Sequence, residues 1–426
     1  MIFRNGYLFT ASHTLARPPI GWLLLGLLVS GLTGHVGVQA AEAPPTLTVM
    51  SSSVELPLAT ILPEGTVVDP QTGWHLVEQG TDVAIPAQIG SAPQADGEVA
   101  EGRQRVLAVI PPGGEGDALR SFQLLPTDEP AAPVFAFEDI TDASVKARQG
   151  DQPVFVYNHG VITREDLPAS ERRRSRACYI HPVYGMSGEV LTDDFPRDHY
   201  HHHGVFWTWP FIGVNGQRYD TWHDSALRQV FSRWLVREVG PVAAVLAVEN
   251  GWIVDDERLM IERVWMRAFR AGQDDRALDV ELFFTPETEI TLRGAAGKSY
   301  GGLTVRFAPG SRGETRITVP DGPTTGDLPD TPLKWADFTS RFGEMEHRSG
   351  AAVLVPPHHP DYPPSWLTRH YGPLCIGWPG VQARTFEPGT PFAIDYRMWI
   401  HREAGDFEEL KDVYQGYTRA TQAQWQ

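Results

Sequence analysis

Four histidines and three aspartates fall within thirteen consecutive positions, Thr192-Asp193-Asp194-Phe195-Pro196-Arg197-Asp198-His199-Tyr200-His201-His202-His203-Gly204. Packing alone does not demand such a density, because buried imidazoles and carboxylates need partners that an apolar core does not supply. If Asp198 to His203 runs extended, His199, His201 and His203 share one face and His202 faces the other way. Three imidazoles on one side suit a divalent transition metal, or they divide into acid, base and substrate-holding roles. Pro196 before the cluster and Gly204 after it also fit an irregular loop, which would void that count.

Aromatic residues follow directly. Phe206, Trp207, Trp209, Trp222 and His223 offer faces that stack on sugar rings or apolar ligands, and thirteen Trp in one chain lead us to expect some of them in a cleft. Lys298 and Arg306 flank Gly301-Gly302, and Arg369, His370 and Tyr371 follow Trp366; each side chain has the reach to hold a ligand hydroxyl or carboxylate. The pair His358-His359 carries less information. Arg172-Arg173-Arg174 reads as a solvated turn. No Ser or Cys stands in a nucleophile-elbow context, and no glycine-rich phosphate loop is present.

The elements that must position these residues read as strands. Val154 to Tyr157, Leu259 to Met266, Leu278 to Phe284, Arg316 to Val319 and Ala351 to Val355 are short apolar runs. Phe392, Ile394, Tyr396, Met398 and Ile400 alternate with Ala393, Asp395, Arg397, Trp399 and His401, a period-two pattern with one buried face. Helical spacing appears at the end, where Phe407, Leu410, Val413, Tyr414 and Tyr417 line one face behind an Asp406 N-cap. Residues 1–40 carry Arg4, Arg17, the apolar run Ile20 to Val29 and a small-residue end at Ala40, the pattern of a cleaved secretory leader. That run is shorter than the roughly 20 residues needed to span a bilayer. We therefore expect an exported protein, periplasmic or extracellular, without stable membrane insertion once the leader is removed.

A Pro- and acid-containing stretch from Asp128 to Ala132 marks a boundary. The expected organisation is leader 1–40, a small β-sandwich 41–130, a large antiparallel β-sandwich 131–405 bearing the His/Asp cluster, and a C-terminal helix 406–426. The formal charge of −17 argues against nucleic acid and anionic membranes as partners. With only Cys178 and Cys375 the chain is no disulfide scaffold; one bridge and two buried thiols are equally open.

Tyr179-Ile180-His181-Pro182, Leu191-Thr192-Asp193-Asp194-Phe195-Pro196 with Asp198-His199 and His201-His202, Gly301-Gly302-Leu303-Thr304-Val305-Arg306 and Trp366-Leu367-Thr368-Arg369-His370-Tyr371-Gly372 together resemble the PmoA-like family of exported bacterial proteins, which carries a methane-oxygenase label. The chain departs from that pattern at Tyr200 and His203, where Pro and Arg are usual, so His199, His201 and His202 carry over best. The resemblance implies a connection with polysaccharide degradation. The stretch Asp198 to Gly204 also resembles, over a few residues, the His-containing segment of aldose-mutarotase-type sandwiches, and that likeness implies a mutarotase-like large sandwich.

These readings combine into an exported carbohydrate-active enzyme with His199, His201, His202, Asp194 and Asp198 as catalytic candidates. Trp207, Trp209, His223, Lys298, Arg306, Arg369 and Tyr371 would contact substrate. A non-catalytic glycan-binding protein is one alternative. A metal-dependent oxygenase using His199, His201 and His203 is the other.

Overall fold

The computed structural model describes residues 44–114, 116–223, 226–310, 312–402 and 407–426; the leader and Asp406 lie outside them. Residues 44–426 form one compact unit, almost entirely antiparallel β-structure with one helix, Phe407–Thr421. Among the described residues no helix is long and apolar enough to cross a membrane.

Two nine-stranded sheets pack face to face. The front sheet orders its central strands as Ser365–Thr368, Pro373–Gly377, Gly302–Arg306, Val205–Thr208, Tyr179–Val183 and Gln152–Asn158. The back sheet is built on Ala243–Val254, Glu257–Phe269, Asp275–Pro286 and Phe392–His401. Because strand side chains alternate, each sheet sends one set inward. Ile180, Val205, Trp207, Val305 and Ile376 from the front meet Val264, Leu282, Tyr396 and Met398 from the back in one continuous core. The same alternation leaves Tyr179, Phe206, Leu367 and Cys375 on the outer face of the front sheet, where they form a second cluster with Trp222. The candidate site is built on that outer face.

The core also holds a polar hub. Glu262, fully buried, accepts from Trp207 Nε1 at 2.7 Å, Gln229 Nε2 at 2.7 Å, Asn250 Nδ2 at 2.8 Å and Trp252 Nε1 at 2.8 Å. Four converging donors offset the cost of burying a carboxylate that forms no salt bridge among the described residues.

A seven-stranded sheet, six of whose strands fall between Thr46 and Thr127, lies on the outer face of the back sheet, packing Leu107 and Val109 against Val245 and Trp265. The final strand, Gln424–Trp425, returns to pair with Thr46–Met50, and the helix carries Leu410, Val413 and Tyr417 onto Trp335, Leu354 and Trp399. This cover corrects the expectation that Phe392–His401 has one buried face, since Arg397, Trp399 and His401 are buried as well. The polar face survives burial because its charges are paired: Arg397 with Asp279 at 2.6 Å, Arg267 with Asp279 and Glu281 at 3.0 Å each, and Arg105 with Glu281 at 3.1 Å. Cys178 and Cys375 are both buried free thiols.

Candidate functional site

The Thr192–Gly204 segment is a loop folded over the outer face of the front sheet. The Asp193 amide donates to the Arg306 carbonyl at 2.9 Å, tying the loop to the Gly302–Arg306 strand. Thr192 Oγ1 accepts from the Val183 amide at 3.0 Å. After Phe195, which sits at φ +49°, the chain turns back, so that the Phe195 amide donates to the His202 carbonyl at 3.0 Å and the His202 amide to the His199 carbonyl at 2.9 Å. Gly204 then passes so close to the Tyr179–Val183 strand that a Cβ there would lie 2.0 Å from the Ile180 carbonyl. Only glycine admits that approach.

The turn overturns the extended reading of Asp198 to His203, and with it the metal face of His199, His201 and His203. The His203 ring is turned toward Asp194. The His199 and His202 rings lie parallel, 4.6 Å apart at 12°, a stacking geometry that does not aim two nitrogens at a common ion. Among the described residues no group of three His, Cys, Asp or Glu side chains is arranged to hold a metal.

Asp194 organises the most buried part of the site. Its Oδ2 accepts from the Tyr179 hydroxyl at 2.8 Å and its Oδ1 lies 2.7 Å from His203 Nδ1. A carboxylate only accepts, so Nδ1 of His203 carries the proton and Nε2 is left as the nitrogen available for chemistry. Burial lowers the His203 pKa, against the opposing hydrogen bond from Asp194. His203, His201, Trp222 and His223 line a cavity of about 390 Å³. The His201 and His223 rings are 4.5 Å apart, and His223 Nδ1 is fixed 3.1 Å from Asp220 Oδ2. Burial, reinforced by His223 and His199, brings His201 down to about 3. His202 is also lowered well below the ordinary value, by burial first and then by the neighbouring cations and imidazoles. Both rings are therefore neutral at pH 7, and their Nδ1 atoms are shut off from solvent without a hydrogen-bond partner.

A second cavity, about 580 Å³, opens on the other side of the same loop and is lined by Asp193, Asp194, Asp198, Arg306 and Tyr371. Arg306 is 4% exposed, its Nη2 donates to Asp198 at 3.1 Å, and its guanidinium sits over the Tyr371 ring at 4.9 Å. Its Nε and Nη1 have no hydrogen-bond partner. Tyr371 in turn stacks on His199 at 5.3 Å and 9°. Burial would raise Asp198, but Arg306 and His199 outweigh it and its pKa is lowered. His199 Nδ1 stands 3.1 Å from Asp198 Oδ2.

Eight of the residues singled out from sequence are thus brought around one loop: Asp194, Asp198, His199, His201, His202, His203, Arg306 and Tyr371, with His223 joining from the Asp220 turn. Trp207 and Trp209 are not among them. Trp207 points between the sheets to Glu262, and Trp209, fully buried, donates to the Trp378 carbonyl and packs on Trp252 and Phe284. Strand parity explains it, because Phe206 takes the outward position and Trp207 the inward one. Lys298 lies exposed in the turn before Ser299, lining neither cavity. Arg369 is held 3.5 Å from Asp327, which also accepts from His370, so both brace the loop that presents Tyr371. Sequence reasoning missed Tyr179 as the partner of Asp194. It also missed Arg172-Arg173-Arg174, read as a solvated turn, which instead forms a wall of the first cavity.

A family model spans residues 144–415, well over half of the chain, and takes in the loop, Arg306 and Tyr371. The chain belongs to the family of unknown function DUF6807. No curated protein matches this DUF6807 sequence. Among solved structures, the alpha-galactosidase from Lactobacillus brevis aligns with 66% of this chain and 40% of its own length, at 9% identity and a TM-score of 0.30. The DUF6807 chain therefore spans less than half of that enzyme, and the likeness is too distant to bear on chemistry.

Proposed function

We propose that this protein is an enzyme acting on a sugar or oligosaccharide by acid–base chemistry, with His203 as the proton-transfer group, Asp194 as its orienter, and His201 and His223 as hydrogen-bonding partners in the same cavity. One observation carries the reading: a histidine whose Nδ1 is fixed by a carboxylate, itself held by a tyrosine, stands in the wall of a cavity large enough for a small glycan. This arrangement presets the tautomer and stabilises the imidazolium that forms on taking a proton. Arg306 lines the adjoining cavity beside Tyr371 and holds Asp198 there through Nη2, and the Asp198 carboxylate supplies an acceptor for sugar hydroxyls. The PmoA-like motif resemblance, with its polysaccharide connection, points the same way, as does export if the leader is cleaved.

The test is turnover. Purified protein is incubated with a panel of oligosaccharides and the products are read by mass spectrometry. We expect products from the native chain and none from His203→Gln. Sugar affinity without product from either would replace this reading with a non-catalytic glycan-binding role.

A further inference from the structure

The strand Arg228–Val239 buries Gln229 between the exposed Arg228 and Val230. A buried amide needs partners on both of its ends. Gln229 Nε2 donates to Glu262 Oε2 at 2.7 Å, so one member of the polar hub in the core is also a wall residue of the cavity that holds His201, His203 and His223. On the other end, Gln229 Oε1 accepts from Arg176 Nη2, and Arg176 Nη1 donates to the Thr221 carbonyl at 3.1 Å. A carboxylate only accepts and a guanidinium only donates, so the amide between them fits in one orientation. A chain of fixed polarity thus runs from Glu262 to the cavity wall.

The outer end of that chain is the turn that supplies His223. Thr221 exchanges bonds with Trp209, its amide donating to the Trp209 carbonyl at 3.1 Å and its Oγ1 accepting from the Trp209 amide at 3.0 Å. Asp220 Oδ1 accepts from the Trp222 and His223 amides at 2.8 and 3.0 Å, and Asp220 Oδ2 stands 3.1 Å from His223 Nδ1. Arg176 ties this turn to the core through Gln229. It also lines the same cavity as His203 and brings a positive charge there. The polar and charged groups around His203 are Asp194 on its own loop, Tyr179 and His181 on the neighbouring strand, Arg176 just ahead of that strand, and the His201 and His202 rings. Asp194 favours the imidazolium, whereas burial, Arg176 and His181 oppose it. Resting on the catalytic reading above, we propose that Arg176, Gln229 and Glu262 are positioning residues, a relay from the core that fixes the His223 turn and holds the Arg176 charge against His203. The relay acts through the two histidines and needs no contact of its own with substrate.

The experiment reads the imidazoles directly and needs no substrate. Ring signals of His203 and His223, assigned with His203→Gln and His223→Gln, are titrated by NMR in the native chain, Arg176→Met, Arg176→Lys, Gln229→Met and Trp252→Phe. Trp252 donates to the same Glu262 oxygen at 2.8 Å but lies in the core and lines neither cavity, so its variant isolates the purely structural cost of weakening the hub. We expect Arg176→Met to move the His203 titration upward, because an opposing charge is gone, and Arg176→Lys to restore it toward the native position. Gln229→Met cuts the relay while keeping both charges, and should displace the His223 signals. On the best sugar of the panel it should raise KM about two- to tenfold, with kcat changed less than about twofold. Trp252→Phe should lower the melting temperature and leave both histidines where they were. An unmoved His203 titration in folded Arg176→Met, unmoved His223 signals in Gln229→Met, or equal displacements in Trp252→Phe would each overturn the proposal. The comparison of Gln229→Met with Trp252→Phe decides it alone if Arg176→Met does not fold. The expected displacements in a protein that turns over no sugar would uphold the coupling and remove the enzymatic reading. Turnover lost in His203→Gln, with neither histidine displaced by cutting the relay, would do the reverse.

Discussion

Replacing Asp194 by Asn isolates the pair on which the proposed chemistry rests. In the native site both partners donate to the carboxylate, Tyr179 at 2.8 Å and His203 at 2.7 Å. An amide offers one accepting oxygen and one NH₂, so one of the two donors then faces another donor inside a buried site. The loss of a charge-assisted hydrogen bond is worth about 2–3 kcal/mol, or roughly 30- to 150-fold in rate if the imidazolium develops in the transition state. Folding stability should fall by about 1–3 kcal/mol through the unsatisfied donor. Asp194 also raises the His203 pKa against burial, so removing its charge must lower that pKa further and move the acid limb of the rate profile to lower pH. Tyr179→Phe loses one charge-assisted donor to Asp194 and should cost about 1.5–3 kcal/mol, but it keeps the charge that raises the His203 pKa. Activity is measured against pH on the best substrate of the panel, and the His203 ring is titrated in parallel by NMR. Wild-type turnover in folded Asp194→Asn, or an unmoved His203 titration, would refute the reasoning.

Glu262→Ala leaves the Trp207, Gln229, Asn250 and Trp252 donors without an acceptor in the core, and should cost more than about 3 kcal/mol in denaturant unfolding, with Glu262→Gln much milder. Trp209→Ala should destabilise by about 3–5 kcal/mol while ligand affinity of the protein that still folds stays unchanged, because the ring fills the core and lines neither cavity. His201, with its pKa lowered to about 3, binds its proton more readily in the unfolded chain, so the stability it confers is full above about pH 6.5 and is lost as pH falls toward 3. The fall in melting temperature between pH 7 and pH 4 should therefore be shallower in His201→Gln than in the native protein. Gly302→Ala, at φ +129° and with a Cβ 2.6 Å from the Ile376 carbonyl, should disturb the front sheet beneath Arg306 and lower the melting temperature.

The strands were legible because period-two patterning is local. Ile394, Tyr396, Met398 and Ile400 declare their inward face without any knowledge of partners. Their companions Arg397 and His401 look like solvent residues, and their burial depends on Asp279 and Asp337, supplied by other strands. The His/Asp loop announced itself by composition, and Pro196 with Gly204 left a turn open beside the extended reading. What sequence did not reveal was parity and convergence. Shifting by one residue between Phe206 and Trp207 exchanges the outer face for the core, so aromatic content alone misplaced Trp207. The Arg172–Arg174 turn meets His201 and Arg228 only through sheet pairing, although three consecutive cations in so acidic a chain were a usable signal. Glu262 offered a quieter one, a lone acid among Met260, Ile261, Val264 and Trp265.

The most direct test of the central claim compares native protein and His203→Gln on the same oligosaccharide panel, with product formation and binding measured on the same samples. The account predicts defined products from the native chain, at least a hundredfold less from the variant, and sugar affinity within about threefold in both. Equal product formation by the two proteins would contradict it.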